Sequence, residues 1–205
     1  MSIAERLSQL RSKLGPARLI AVSKTKPIHQ LIEAYQAGQR DFGENYPGEL
    51  RDKAKNGELR EMCPELRWHF IGTLQKKAMN QVIKAEGLVS IQTITSIEMI
   101  DQISAKLNDK QLDVMLQVNT SREEQKGGFL EDDEIINAVN HLQTKSHLRF
   151  QGLMTIGSAQ NSKSSAETGE DNPDFTRLVE LQKVVASQCD ISVSFLNFPS
   201  VQNLT

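Results

Sequence analysis

The chain has 205 residues, of which 38% are hydrophobic and 24% are charged, a composition that predicts a globular protein and excludes the disordered and fibrous classes. Its 24 basic and 26 acidic residues leave a net charge of −2, so no overall positive field would attract nucleic acid or an anionic membrane. We therefore expect one soluble domain, residues 1–205, whose ligands are recognised at a local site.

The cysteines and the amino-terminal residues of the chain indicate its cellular compartment. Cys63 and Cys189 show neither metal-ligand spacing nor a disulfide framework. The amino-terminal residues carry charges throughout and lack the apolar core of a signal peptide, and no later apolar run is long enough to span a membrane. These features predict a cytoplasmic protein without a metal site.

Taken in chain order, the hydrophobic pattern alternates between strand and helix. Apolar residues at helical spacing behind Ser2 predict an opening helix over residues 3–14. A β-branched-rich run then predicts a strand over 19–22, and the next helical pattern begins at Ile28. Later strands are predicted at 40–42, 66–71, 88–93, 112–119, 148–155 and 191–196, and later helices at 46–56, before 84, and at 96–108, 132–144 and 173–187. Residues 158–171, rich in Ser, Glu and Gly, predict a surface loop.

Repeated strand–helix units predict a parallel sheet covered by helices. The strand over 112–119 has one apolar face and one partly polar face, formed by Asp113, Met115, Gln117 and Asn119. An open sheet with helices on both sides would need two apolar faces, so the pattern favours a TIM-type barrel. In such barrels the functional residues lie at the carboxyl ends of the strands. The residues expected there are Lys24, Asn45, Gly72, Asn119 and Gly157.

Lys24 stands at the exit of the first strand. Alternation along the strand puts its side chain on the same face as Ile20 and Val22, which predicts an amine at the mouth of a cavity. Desolvation and a neighbouring cation, such as Lys26, both favour the neutral amine that forms a Schiff base with an aldehyde or ketone. The alternative is an ordinary surface lysine after a strand.

Five ordered strings carry a resemblance to a known family: LIAVSKTKP, AGQRDFGENY, WHFIGTLQKK, VNTSREEQKGG and GLMTIGS. They resemble those of the pyridoxal phosphate homeostasis proteins, also called the proline synthetase co-transcribed family. The resemblance implies a single TIM-type barrel similar to the amino-terminal domain of alanine racemase. It also implies pyridoxal 5′-phosphate (PLP) held as an internal aldimine on the first lysine of SKTKP, Lys24.

The same resemblance implies a role without an established turnover reaction. Family members are thought to buffer PLP or deliver it to apo-enzymes, as monomers in the cytosol that are sometimes associated with mitochondria. We expect no nucleic-acid or membrane partner.

Two further residues are candidates for cofactor binding. Asn45 could hydrogen-bond the pyridine ring or its hydroxyl group, or could instead cap the helix that begins near Tyr46. His69 shares a strand face with Arg67 and Ile71 and could point into the barrel near the cofactor, or could be a hydrogen-bonded core histidine.

The end of the sequence departs from the family pattern. Family members continue into a Ser-Met-Gly-Met-Ser strand end, which cradles the cofactor phosphate, and into a final strand with an arginine near the ring. This chain reads DISVSFLNFPSVQNLT instead. We therefore expect an atypical tail over residues 188–205 and a barrel that lacks its last strand.

Three functions follow from these features. The first is a PLP-binding homeostasis protein with Lys24 as the anchoring amine. The second is a Schiff-base enzyme such as a racemase or an aldolase, although the chain lacks room for a racemase's second domain and shows no evident acid–base partner for Lys24. The third is a degenerate form that does not hold the phosphate.

Overall fold

A computed structural model describes residues 1–191, 193 and 195–197. Strands and helices alternate along these residues. The strands are β1 Ala21–Val22, β2 Asp41–Glu44, β3 Arg67–Phe70, β4 Leu88–Ile94, β5 Leu112–Val118, β6 Leu148–Thr155 and β7 Phe195–Asn197. The helices are α1 Ile3–Leu14, α2 Ile28–Gln36, α3 Pro47–Ala54, α4 Gly57–Met62, α5 Met79–Ile83, α6 Ile97–Ser104, α7 Asp132–Gln143, α8 Ala159–Thr168 and α9 Pro173–Gln188, with a 3₁₀ helix at Lys76–Ala78.

The chain divides into two compact units, one formed by residues 1–90 and one that begins at residue 91. In the first unit β1, β2 and β3 lie in chain order, followed by the start of β4. In the second unit the rest of β4 is followed by β5, β6 and β7. The pairs β1–β2, β2–β3, β5–β6 and β6–β7 are all parallel. The predicted strand–helix repeat is confirmed, and the single domain over 1–205 stays a prediction.

The core of the first unit forms around aromatic side chains of β2 and β3. Phe42 pairs with Trp68 across the two strands, and their rings lie 6.2 Å apart in a tilted arrangement. Both residues are buried, as is Phe70 at the end of β3. These strands are short and rigidly packed, which gives the loops at their carboxyl ends a fixed base.

A β-bulge shapes the second unit. β5 and β6 pair in register up to Val114 and Phe150, after which Met115 pairs with Gly152 and leaves Gln151 as the extra residue. A side chain at position 152 would collide with the main-chain oxygen of Phe195 in β7. Glycine at this position therefore lets β7 pair with β6.

Two predicted elements differ from the structure. The single helix predicted over 46–56 is two helices, α3 and α4, because the Asn56 side chain caps α4 by accepting a hydrogen bond of 2.8 Å from the Leu59 amide. The loop predicted over 158–171 is wrong, since it contains α8. Ser158 caps this helix, and the buried Asp174 side chain accepts a hydrogen bond of 2.8 Å from the Ser158 amide.

The seventh predicted strand is present in part. The prediction covered 191–196, whereas β7 spans Phe195–Asn197. The predicted atypical tail continues over 198–205, and this part lies outside the described residues.

Candidate functional site

The first three strands end at the same edge of the sheet in the first unit. The Ser23 amide, after β1, donates to the main-chain oxygen of Gly43 at 2.9 Å. The Ile71 amide, after β3, donates to the main-chain oxygen of Glu44 at 2.9 Å. Parallel strands present their carboxyl ends together, so the loops that begin at residues 23, 45 and 71 are neighbours.

Lys24 lies on a tight turn directly after β1. The Lys26 amide donates to the Ser23 main-chain oxygen at 3.0 Å and closes this turn. The Lys24 side chain is exposed, whereas Lys26 is half-buried. The predicted desolvation of Lys24 is therefore wrong, because this residue is exposed on the turn that follows the end of β1 at Val22. An exposed amine is accessible to a ligand in solution.

The next residue, Thr25, has a strained backbone. Its φ is +61°, in the left-handed region that β-branched residues rarely adopt. Such a conformation costs about 1–2 kcal/mol and persists only where the surroundings enforce it. Here the Thr25 amide donates a hydrogen bond of 2.6 Å to Oε1 of Glu49 on α3. The carboxylate therefore holds the residue that follows Lys24.

A buried lysine lies beneath the turn. Lys53 Nζ donates to the Ser23 main-chain oxygen at 2.5 Å, to Glu44 Oε1 at 2.7 Å and to Glu49 Oε1 at 2.6 Å. The Ser23 hydroxyl donates to Glu44 Oε1 at 2.6 Å. We call Ser23, Glu44, Glu49 and Lys53 the turn network. It joins the ends of β1 and β2 to α3.

Glu44 is the most deeply buried member of the turn network, with no exposed surface. Burial raises the pKa of its carboxyl above the ordinary value, although hydrogen bonds from Lys53 and Ser23 oppose this shift. Among the described residues, no donor reaches its second oxygen, Oε2. Lys53 therefore balances a carboxylate that would otherwise be costly to bury.

Asn45 follows Glu44 at the same edge. Its Oδ1 is buried and finds no donor within the described chain. The helix-cap interpretation is wrong, because α3 is capped at Tyr46 without any side-chain hydrogen bond. A Cβ on Gly72 would collide with the Asn45 main-chain oxygen, so glycine lets the loops after β2 and β3 approach. Asn45 thus presents an unused acceptor near this edge.

His69 has a different environment. It is buried in β3, and its Nε2 lies 2.8 Å from Oδ1 of Asp41, the first residue of β2. Burial lowers the pKa of its imidazole below 6.5, and the hydrogen bond to Asp41 opposes this shift. The imidazole thus points toward the start of β2, as expected for a core histidine. A role for His69 at a cofactor stays a prediction.

Asp41 organises a cluster at the start of β2. Arg67 donates to both carboxylate oxygens, at 2.9 and 2.8 Å, and Arg18 also donates to both. Burial alone would raise the pKa of the Asp41 carboxyl, but the hydrogen bonds from His69, Arg67 and Arg18 hold it well below its ordinary value. This cluster of charged side chains joins the first residues of β2 and β3 to Arg18, which precedes β1.

The sequence therefore predicted part of this site correctly. The structure brings Lys24 and Asn45 to one edge and turns the His69 side chain toward Asp41. The turn network was missed, although Glu49 and Lys53 stand four residues apart on one helix face, a spacing typical of an ion pair. That spacing alone does not distinguish a buried pair from a surface pair.

The described part of the chain offers neither a metal site nor a membrane-spanning helix. No group of three or more His, Cys, Asp or Glu side chains is suited to a metal ion there. No helix among residues 1–191 combines the length and apolar composition of a membrane span.

Comparison with known proteins gives consistent matches. Residues 1–197 match the family model described as alanine racemase, N-terminal domain. The human pyridoxal phosphate homeostasis protein is 43% identical over 179 residues, which cover 85% of this chain and 63% of the human protein. The protein of that name from Schizosaccharomyces pombe is 39% identical over 175 residues, 84% of this chain and 70% of the yeast protein.

A solved structure is also similar. PipY of Synechococcus elongatus PCC7942, determined with PLP bound, superposes with a TM-score of 0.77 at 28% identity and covers 95% of this chain and 87% of that one. The present chain spans a little under two thirds of the length of the human relative.

Proposed function

Because the chain belongs to the family of the alanine racemase N-terminal domain, we propose that it binds PLP at Lys24 and takes part in the homeostasis of this cofactor. The names of its human and yeast relatives and the PLP bound to PipY support the proposal. One observation carries it: the exposed Lys24 lies on a turn that the turn network holds at the edge of the sheet.

The residues at this edge fit the chemistry of PLP. When bound, PLP supplies an aldehyde that condenses reversibly with a primary amine. Lys24 is the amine that would hold it. The unused Oδ1 of Asn45 would accept a hydrogen bond from the hydroxyl or the ring N–H of the cofactor, and the half-buried Lys26 adds positive charge for an anionic ligand.

A reversible link to Lys24 suits storage and delivery. Lys24 would hold the cofactor reversibly and would release it to a second amine, such as the active-site lysine of an apo-enzyme. The two carboxylates of the turn network, Glu44 and Glu49, both accept hydrogen bonds from Lys53, and these contacts are structural ones within the network. We propose on this basis that the chain turns over no substrate.

We further propose that this role is exerted in the cytoplasm, with association to mitochondria in some settings, by a monomer that meets apo-enzymes transiently. The two free, buried cysteines fit a reducing compartment.

The experiment is reductive labelling. The chain is mixed with PLP, reduced with borohydride, digested and analysed by mass spectrometry. We expect a PLP adduct on the peptide that contains Lys24 and its loss in Lys24→Ala. Lys13, exposed on α1, is the matched control, and Lys13→Ala keeps the Lys24 adduct. Labelling of Lys24 no stronger than that of Lys13 would contradict PLP binding.

The enzyme alternative has its own test, because the fold is shared with racemases. The PLP-loaded chain is incubated with D- and L-alanine, and the enantiomers are separated by chiral chromatography. We expect no interconversion above that of free PLP. Interconversion that depends on Lys24 would replace the homeostasis role with catalysis.

A further inference from the structure

We propose that Glu49 and Lys53 are positioning residues that clamp the main chain on both sides of Lys24 for capture of the cofactor aldehyde. This inference rests on the proposed function of Lys24. It names the groups that fix the amine-bearing residue, which the comparisons with relatives do not identify.

The clamp acts on the two peptide groups that flank Lys24. The carbonyl oxygen of the peptide before it, that of Ser23, accepts from Lys53 Nζ at 2.5 Å. The amide of the peptide after it, that of Thr25, donates to Glu49 Oε1 at 2.6 Å. Because Lys53 also donates to the same Glu49 oxygen, one ion pair on α3 holds both peptide groups.

Burial strengthens the Lys53 side of this clamp. The Lys53 side chain is 7% exposed and that of Glu44, its other partner, is fully buried. A hydrogen bond with one ionised partner, such as that from Lys53 to the Ser23 oxygen, is shorter and stronger than a neutral one, and the low dielectric around the buried Lys53 strengthens it further. The clamp also accounts for the left-handed backbone of Thr25, which needs an enforcing contact.

Such a clamp matters because the Lys24 side chain itself is exposed. Packing does not fix the position of its amine, so the main chain must do so. If the turn adopts the binding conformation only part of the time, the apparent affinity for PLP falls by that fraction. Preorganisation of the turn therefore raises the occupancy of Lys24 at a given PLP concentration.

Glu49 is the residue to change. Removal of Lys53 leaves the buried Glu44 unpaired and lowers the stability of the whole unit, whereas Glu49 lies nearer the surface with 23% of its side chain exposed. We expect Glu49→Ala to raise the Kd for PLP on the order of tenfold. Absorbance titration measures this value. Glu49→Gln keeps an acceptor oxygen and recovers most of the affinity. Glu58→Ala, an exposed glutamate on α4, is the matched control and binds as the unchanged chain does.

A second measurement does not depend on PLP. Hydrogen exchange of the Thr25 amide, followed by NMR, should accelerate on the order of tenfold in Glu49→Ala but not in Glu58→Ala, because only the former loses its acceptor. A structural role of Glu49 remote from the turn would leave this amide unchanged.

The outcomes separate the two proposals. If the unchanged chain forms no adduct on Lys24, the proposed function fails, and Thr25 exchange alone then tests the clamp. If the adduct forms and Glu49→Ala binds PLP as tightly as the unchanged chain, the clamp proposal is overturned and PLP binding stands. Unchanged Thr25 exchange in Glu49→Ala overturns the clamp in either case.

Discussion

Lys53 donates a hydrogen bond from its buried ammonium group to the main-chain oxygen of Ser23, the residue before Lys24. The same ammonium group balances the fully buried carboxylate of Glu44. One side chain on α3 thus supports the charge balance of the interior and the geometry of the turn above it.

We expect Lys53→Met to lower the free energy of unfolding by about 3–5 kcal/mol, because the change leaves Glu44 buried without its cation. Urea denaturation followed by circular dichroism measures this value. A second substitution, Glu44→Gln, in the Lys53→Met background removes the uncompensated charge and should restore part of the loss. A loss below about 1 kcal/mol in Lys53→Met would contradict the dependence of the buried Glu44 on this cation.

Stability should depend on pH through His69. Burial lowers the pKa of this imidazole in the folded chain, whereas an unfolded histidine binds a proton below about pH 6.5. The unfolded state then binds more protons, so the free energy of unfolding falls as the pH drops from 7 toward 5.

Urea titrations at several pH values measure the slope of the free energy of unfolding against pH. His69→Gln should reduce this slope. His29→Gln, at an exposed position on α2, should leave the slope unchanged. An equal slope in the unchanged chain and in His69→Gln would rule out His69 as its origin.

Close packing at the strand ends makes Gly72 sensitive to substitution. In Gly72→Ala the added Cβ meets the Asn45 main chain, so the loops after β2 and β3 must separate. We expect a loss of about 1–3 kcal/mol in the free energy of unfolding together with weaker PLP binding. Gly57→Ala is the matched control, because nothing lies within 4 Å of its added Cβ, and its stability should stay equal or rise. Equal effects of the two substitutions in urea denaturation would contradict the packing argument.

We expect substitution of Asn45 to weaken PLP binding while the free energy of unfolding changes little. Its buried Oδ1 has no donor among the described residues, so Asn45→Ala removes an unsatisfied acceptor and should change the free energy of unfolding by less than about 1 kcal/mol. PLP binding, measured by absorbance titration, should weaken several-fold.

Asn56→Ala is the contrasting control for this prediction. It removes the cap of α4 and should cost about 1 kcal/mol of stability with PLP affinity unchanged. If both variants bind PLP equally well, Asn45 does not contact the cofactor.

The fold was largely predictable from the sequence. Apolar runs of strand length alternate with helical patterns, and the short parallel strands of both units confirm this interpretation. The match to the alanine racemase N-terminal domain confirms the predicted fold class, and the named relatives confirm the family resemblance. The strand–helix alternation follows from local periodicity, which a sequence displays directly, whereas the family resemblance rests on the five ordered strings.

The site was less predictable, because its contacts join separate elements. The exposure of Lys24 depends on the turn after β1, which is closed by the Lys26 amide and held by Lys53, and the apolar run over 19–22 does not contain these contacts. The turn network joins residues from β1, β2 and α3, and the partner of His69 follows from strand register. The cap and the Asp174 contact that form α8 likewise come from tertiary structure, which local composition does not contain.

The two carboxylates of β2 bear on how the sheet assembles. Asp41 and Glu44 stand three residues apart, so they face opposite sides of the strand. Asp41 meets Arg18 and Arg67, and Glu44 meets Lys53. A shift of β2 by one residue in its pairing register would leave both carboxylates in apolar surroundings without their cations. Folding intermediates with β2 out of register are thereby destabilised at two positions, which gives this four-residue strand an alignment signal that its length alone would not provide.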